Sequence, residues 1–337
     1  MSLQGEHYFQ VLEPRPYVYI GLRFADACKH HFGIRYGIRQ HVPWPDVLEV
    51  AADLCDLKAD LIVTLGAGSR TDGAKVAALA VANEAFTLDA LDGLHTAASP
   101  LPKDVKACTI SIINIPTSLS GGEYMAPGAA TDLRSNRKLG FRHPSMGSQL
   151  VILDPVLTVS TPDRVWLSSG MRAVDHCVEG LCSVFFRTPS GEEGTDDDNT
   201  NKLKEETEEA LAKALSLLLP GLLITRHFPS DLPARLEAMA GVVEANGPAV
   251  RQEERSCVML PSVLRWNRAY GDAWVEERQR KERGLRRDTV SAGDVVAGFV
   301  AALGLPTSVG EVGVGRDKLD ALAESSEQVL EIVEMAL

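Results

Sequence analysis

The 337-residue chain has no CxxC pair; Cys28, Cys55, Cys108, Cys177, Cys182 and Cys257 are scattered along it. That spacing argues against a zinc finger and against a disulfide frame, so free thiols in a reducing compartment are expected. Positive charge is not in excess either. Lys and Arg number 34 against 46 Asp and Glu, a net charge of -12, and a nucleic-acid surface needs the opposite sign. No apolar run is long enough to cross a bilayer: the longest, Leu215 to Ile224, is interrupted by Pro220. The opening MSLQGEHYFQVLEPRP has no apolar core of a secretory leader. The expectation is a cytoplasmic protein without membrane or nucleic-acid partners. Hydrophobic residues make up 45% and charged residues 24%, an ordinary globular balance at a length that suits two domains.

The stretch Leu61-Ile-Val-Thr-Leu-Gly-Ala-Gly-Ser-Arg-Thr-Asp-Gly-Ala-Lys75 organises the rest. Its apolar and β-branched start predicts a buried strand. Gly66-Ala67-Gly68-Ser69 breaks the strand, and Thr71 to Ala85 is Ala- and Leu-rich, as a helix would be. Two glycines at such a turn admit a close ligand, and free N–H groups at a helix start favour an anion such as a pyrophosphate. Ser69 adds a hydroxyl, and Asp72 and Lys75 fall in the first turn of the expected helix. A helix-capping turn without a ligand is the alternative reading, because a short Gly motif is weak by itself.

A second apolar stretch, Thr109 to Ile115, enters the loop Pro116-Thr117-Ser118-Leu119-Ser120-Gly121-Gly122-Glu123. A third, Leu150 to Leu153, enters Asp154-Pro155 and then Ser160-Thr161-Pro162. Three strands that each end in small polar residues suit an α/β sheet with a ligand beyond its carboxyl edge.

Taken together, Gly-x-Gly-Ser-x-x-Asp-x-x-Lys, Ile-Pro-Thr-Ser-x-x-Gly-Gly-Glu, Asp-Pro-x-Leu-x-x-Ser-Thr-Pro and Ser-Gly-Met-x-Ala-x-x-His resemble the iron-containing (group III) alcohol dehydrogenases, from about Arg15 to Val314. The compact Thr117-to-Glu123 loop looks more like the maleylacetate reductase branch. The resemblance implies a Rossmann-like parallel-sheet nucleotide domain over residues 1–158. An all-helical metal and substrate domain would follow over 159–337, in a dehydroquinate synthase-like architecture. It also implies NAD(H) or NADP(H) along Gly66, Ala67, Gly68, Ser69, Asp72, Thr117, Ser118, Ser120, Gly121 and Leu157. Lys138 would sit on a β-hairpin over the cofactor, with a solvated hairpin lysine as the other reading. A small-molecule substrate, a divalent iron or zinc and a homodimer belong to the same expectation.

Departures from the pattern are local. After His30-His31 the chain passes almost directly to Gln40-His41-Val42-Pro43, so one βα unit on the adenosine side is missing. Of two metal ligands that the family spaces four apart on one helix, His176 matches the second. The first is Arg172, which is always cationic and cannot ligate a metal. Asp175 is about 100° off the wanted face. The expected downstream histidines do not exist, since none follows His227; Gln252, Glu253 and Glu254 lie near one expected position, in what reads as a solvated loop. One imidazole does not hold a divalent metal by itself. Arg172 suits a bidentate grip on a substrate carboxylate, or else a salt bridge to an acidic neighbour. The chain also ends sooner than the resemblance implies, and the three gaps look like a shortened gene model or skipped exons.

Three functions follow in order: an oxidoreductase that uses Arg172 and His176 as its remaining polarising groups; a catalytically impaired relative with a binding role; and a lyase of the dehydroquinate synthase type, ranked last for want of a second histidine.

Overall fold

The computed structural model describes residues 6–8, 17–19, 34–35, 37–96, 104–186, 198–246, 292–308 and 311. The chain forms two compact units that do not follow its linear order. One takes in residues 1–62, 72–111 and 127–146, the other 63–71, 112–126 and 147–337.

In the first unit, strands β1 (Glu6–Tyr8) and β2 (Tyr17–Tyr19) pair antiparallel. Helix α1 (Trp44–Asp56) starts with Pro45 in its first turn, where a missing N–H costs nothing, and buries Trp44, Val47 and Ala51. The Arg39 guanidinium, 2.5 Å from Asp46, holds that carboxylate below its ordinary pKa. Strand β3 (Leu61–Gly66), most of which belongs to the second unit, leads into helix α2 (Gly68–Ala82), whose later turns bury Val76, Ala77, Leu79 and Ala80 in the core of the first unit. The segment from Thr87 contains the short helix α3 (Leu88–Asp92), capped by the Thr87 hydroxyl. The expected hairpin is present as β5 (Gly128–Asp132) and β6 (Arg137–Phe141), antiparallel from Gly128↔Phe141 to Asp132↔Arg137.

In the second unit, β4 (Ser111–Pro116) lies between β3 and β7 (Leu150–Val151), running parallel to β7 with Ile113 opposite Leu150. Asp154 caps the one-turn helix α4 (Pro155–Thr158), its carboxylate accepting from Val156 N at 2.9 Å. Helices α5 (Asp163–Phe186), α6 (Asp198–His227) and α7 (Leu232–Ala245) form a packed bundle. Helix α6 begins inside the polar, acidic stretch Thr188 to Glu206, which its composition predicts to be a solvated loop; residues 188–197 of it lie outside the described residues. Helices α6 and α7 pack almost backbone to backbone. A Cβ on Gly221 would meet Ala234 O at 2.9 Å, and one on Gly241 would meet Leu218 Cγ at 2.7 Å. Helix α8 (Ala292–Ala302) adds Val300 to the same core. Residue order also predicts helices at Phe24–Phe32 and Trp274–Arg287; both lie outside the described residues.

Arg235 is fully buried on α7. It donates from Nη1 to Thr158 O (2.9 Å) and Oγ1 (3.2 Å), and from Nε to Pro229 O (2.5 Å), while its guanidinium lies 4.4 Å over the Trp166 ring. It ties α4 and the α6–α7 connection to the bundle. Arg235→Met is expected to cost about 2–4 kcal/mol, because buried carbonyls lose a charged donor. A urea midpoint that does not move would refute this.

Among the described residues, nothing covers one face of the β3–β4–β7 sheet. Thr64 and Asn114 point to its buried side, joined through their side chains. The other side carries Val63 (53% exposed), Leu65 (50%), Leu150 (49%) and Ile152 (41%), with Ile113 and Ile115 half-buried among them. Sheets built from parallel strands are ordinarily covered on both faces; among the described residues, no layer packs on this aliphatic patch. The folded chain is expected to bind a hydrophobic dye there. Replacing Val63 and Leu65 by Thr should cut that signal by at least half and change stability by under about 1 kcal/mol. An unchanged signal would mean that the patch is covered in solution.

Candidate active site

The strand–turn–helix at Gly66 is built as expected, with a shifted boundary. Helix α2 starts at Gly68, three residues before the expected Thr71, so Gly68 and Ser69 lie in its first turn and Asp72 and Lys75 follow in the second. The earlier start arises because Gly66 turns the chain alone, at φ +149°, a conformation open only to glycine. Arg70 N then closes the turn on Ala67 O at 2.9 Å.

The hydroxyl-rich loop is fastened to this turn. Thr117 N donates to Gly66 O at 3.0 Å. A Cβ on Gly68 would come within 2.7 Å of Ser120 Oγ, which itself lies 3.1 Å from Ser118 Oγ. Thr161 Oγ1 donates to Thr117 O (2.8 Å), and Leu119 N donates to Ser169 Oγ on α5 (3.0 Å). Gly121 adopts φ +70°, and a Cβ there would meet the Asn246 amide nitrogen at 2.8 Å. The structure therefore brings Gly66, Ala67, Gly68 and Ser69 together with Thr117, Ser118, Ser120 and Gly121. Leu157, half-buried, sits on α4 beside Thr158, the residue that Arg235 holds.

Beneath this surface runs a buried polar chain that the sequence reading missed. Thr64 Oγ1 donates to Asn114 Oδ1 (2.5 Å), Asn114 Nδ2 to Ser148 Oγ (2.5 Å), and Ser148 Oγ to Glu123 O (2.7 Å). It joins the interiors of β3 and β4 to the loop through a fully buried Asn114. The available signal was an asparagine inside the apolar stretch TISIINI, since a polar residue there needs buried partners. Asn114→Leu is expected to destabilise by about 1–3 kcal/mol by orphaning Thr64 and Ser148; calorimetry would check it, and an unshifted Tm would refute it.

On α5, Arg172 and His176 are one turn apart. Arg172 Nε donates to His176 Nε2 at 3.3 Å, and His176 Nδ1 is 4.0 Å from Glu179 Oε2. His176 is 6% exposed. The ring nitrogen that accepts from Arg172 is thereby the unprotonated one, with the proton on Nδ1. This donor set does not fit a divalent metal: a cation stands where a carboxylate would be needed, and it engages the imidazole lone pair. Among the described residues, no group of three or more His, Cys, Asp or Glu is placed to hold a metal ion. Gln252, Glu253 and Glu254 lie outside them.

Next to His176, burial pushes the Cys177 thiol up to about 12. A raised acid in the native state keeps its proton while the unfolded chain loses it, so stability should fall as pH rises from about 9 towards 12. Cys177 is accordingly expected to resist thiol reagents at pH 8 while the exposed Cys55 reacts; equal labelling rates would refute this.

In the other unit, Asp72 is half-buried on α2. Lys75 is fully buried and donates to Pro127 O at 3.2 Å. Lys138 is exposed on β6 opposite Thr131.

Comparison with known proteins finds relatives of the chain. Residues 22–155 match the model of iron-containing alcohol dehydrogenases. The dehydrogenase ALT3 of Alternaria alternata is 37% identical over 331 residues, covering 87% of this chain and 84% of that protein. The chain belongs to the iron-containing alcohol dehydrogenase family. It is an oxidoreductase of that type, and the family's members use NAD(H), typically with a metal. The dehydrogenase FUM7 of Gibberella moniliformis is 31% identical, covering 97% of this chain and 94% of that protein. That match runs over 403 residues against the 337 of this chain, so internal segments of the relative have no counterpart here. A solved maleylacetate reductase from Agrobacterium tumefaciens superposes with a TM-score of 0.64 at 21% identity, covering 90% of this chain and 82% of that one. At that identity the likeness concerns the fold, a Rossmann-like domain with a helical domain.

Proposed function

We propose that this protein transfers a hydride between NAD(H) or NADP(H) and a small carbonyl or alcohol, with a maleylacetate-like acidic substrate as its best-fitting class. The observation that carries the reading is the junction of the Gly66–Gly68 turn with the Ser118–Ser120 loop, where Thr117 N is bonded to Gly66 O and glycine at 68 leaves the room that the Ser120 hydroxyl occupies. The first turn of α2 presents N–H groups there, suited to the diphosphate of a dinucleotide. Ser69 and Ser120 offer hydroxyls to the same anion, and Leu157 offers apolar surface. When bound, the nicotinamide supplies or accepts the hydride. Arg172 orients the substrate through its carboxylate, by a forked pair of N–H donors, and neighbouring His176 is the group that holds or releases the proton at the carbonyl oxygen. Asp72 and Lys138 as cofactor contacts, the division at residue 158, a homodimer and a cytoplasmic location belong to the same proposal.

A titration with NADH and NADPH by fluorescence, with and without Fe²⁺ or Zn²⁺, tests it. Saturable binding that the metal does not change is the expected result. A folded chain that binds neither nucleotide would remove the oxidoreductase reading for this form and leave the non-catalytic relative. That second reading draws on the Arg172–His176 contact, which replaces a metal pair.

A further inference from the structure

One cation on the nucleotide turn has no part in the scheme above. The Arg70 side chain folds back across Gly66: a Cβ built on that glycine would meet Arg70 Cδ at 2.4 Å, and Nε and Nη1 at 2.9 Å each. Its guanidinium makes no hydrogen bond or ion pair among the described residues. Arg35, Arg39 and Arg134 are held by carboxylates, Asp53, Asp46 and Asp89. Arg70 is not, and it lies on the turn where a doubly charged ligand is expected.

We propose that Arg70 grips the diphosphate of the dinucleotide. The inference rests on the dinucleotide reading and adds a binding residue to it. The guanidinium fork matches two phosphate oxygens, and it is weakly hydrated, so little is lost when water leaves. Arg70 stands one residue beyond Ser69 in the first turn of α2, so its charge adds to that of the helix N-terminus. In the ligand-free chain the side chain covers Gly66; on binding it swings off the glycine and closes over the phosphates. The glycine thus has two uses: it turns the chain, and it leaves room in which the arginine waits.

The test compares the full chain with Arg70→Gln and Arg70→Lys, titrated with NADH and with NADPH at low and high salt. The Gln variant is expected to bind both nucleotides more weakly by about ten- to hundred-fold, the range for a charge-assisted hydrogen bond. The two losses should be equal, with a shallower salt dependence, and Lys should restore part of the affinity. Far-ultraviolet circular dichroism checks that each variant is folded; should Gln not fold, the Lys variant alone must show a smaller but equal loss for both nucleotides. A loss confined to NADPH would place the guanidinium at the 2′-phosphate and overturn the assignment. Unchanged or tighter binding would make Arg70 a bystander or a plug, and overturn it while the dinucleotide site stands. An unmodified chain that binds neither nucleotide would overturn both.

Discussion

Gly68→Val is expected to weaken NADH binding by at least about 100-fold, some 2.7 kcal/mol, in a chain that still folds. The first Cβ atom alone comes 2.7 Å from Ser120 Oγ and 3.4 Å from Ser120 Cβ. Two further methyl groups have to occupy the junction between turn and loop, where the diphosphate is proposed to lie. The backbone at Gly68 is not in the left-handed region, so valine is not barred conformationally there. Its helix penalty relative to glycine is nil or favourable. The loss therefore belongs to the ligand and not to the fold. Pairing Gly68→Ala with Ser120→Gly separates the two causes. If crowding against the serine is the defect, the double variant recovers much of the affinity that the single alanine loses. Titration with thermal unfolding as a control would decide it, and a Gly68→Val chain that binds NADH normally would remove the turn from the site.

The second large effect is expected at Arg172. Replacing it by Met should lower kcat/KM for a carboxylate-bearing carbonyl substrate by about 100-fold and leave NADH affinity unchanged. A buried-edge, charged hydrogen-bonding group is worth roughly 1.5–3 kcal/mol, and a bidentate grip lies at the upper end. For an uncharged aldehyde the same variant should lose less than about threefold, because no carboxylate is left unmatched. The ratio of the two substrates is therefore the informative quantity. Equal losses would make Arg172 a structural or polarising group, and no loss would make it an ornament of α5. The partner His176 enters through pH. Without Arg172 Nε as a donor, its Nε2 is released from a cationic neighbour, which favours protonation and should move the alkaline limb of the rate profile upwards.

Much of this protein was legible from residue order alone. The Gly66–Ser69 turn, the three strand-ends and the long helices are local matters: periodicity, a glycine where φ must be positive, a proline where a helix can start. The absence of histidine beyond His227 was legible as well, and with Arg172 it already spoke against a metal. Even the Arg172–His176 contact follows from a spacing of four on one helix. Boundaries slipped where two signals competed. Gly68 and Ser69 resemble a loop in sequence, yet Gly66 alone completes the turn, so the helix begins earlier.

Tertiary structure decided what joins distant stretches. Only packing places Ser120 against Gly68, Asn246 against Gly121, and Arg235 under Thr158. Nothing in a sequence of alternating apolar residues says that Asn114 links Thr64 to Ser148, or that Arg70 lies across Gly66. Those contacts depend on side-chain direction and on the close approach of elements far apart in the chain, which local propensity does not encode. Residue order by itself determined the family and the glycine pattern of the turn; the fold decided which side chains meet there, because their energies exist only once the strands and helices are packed.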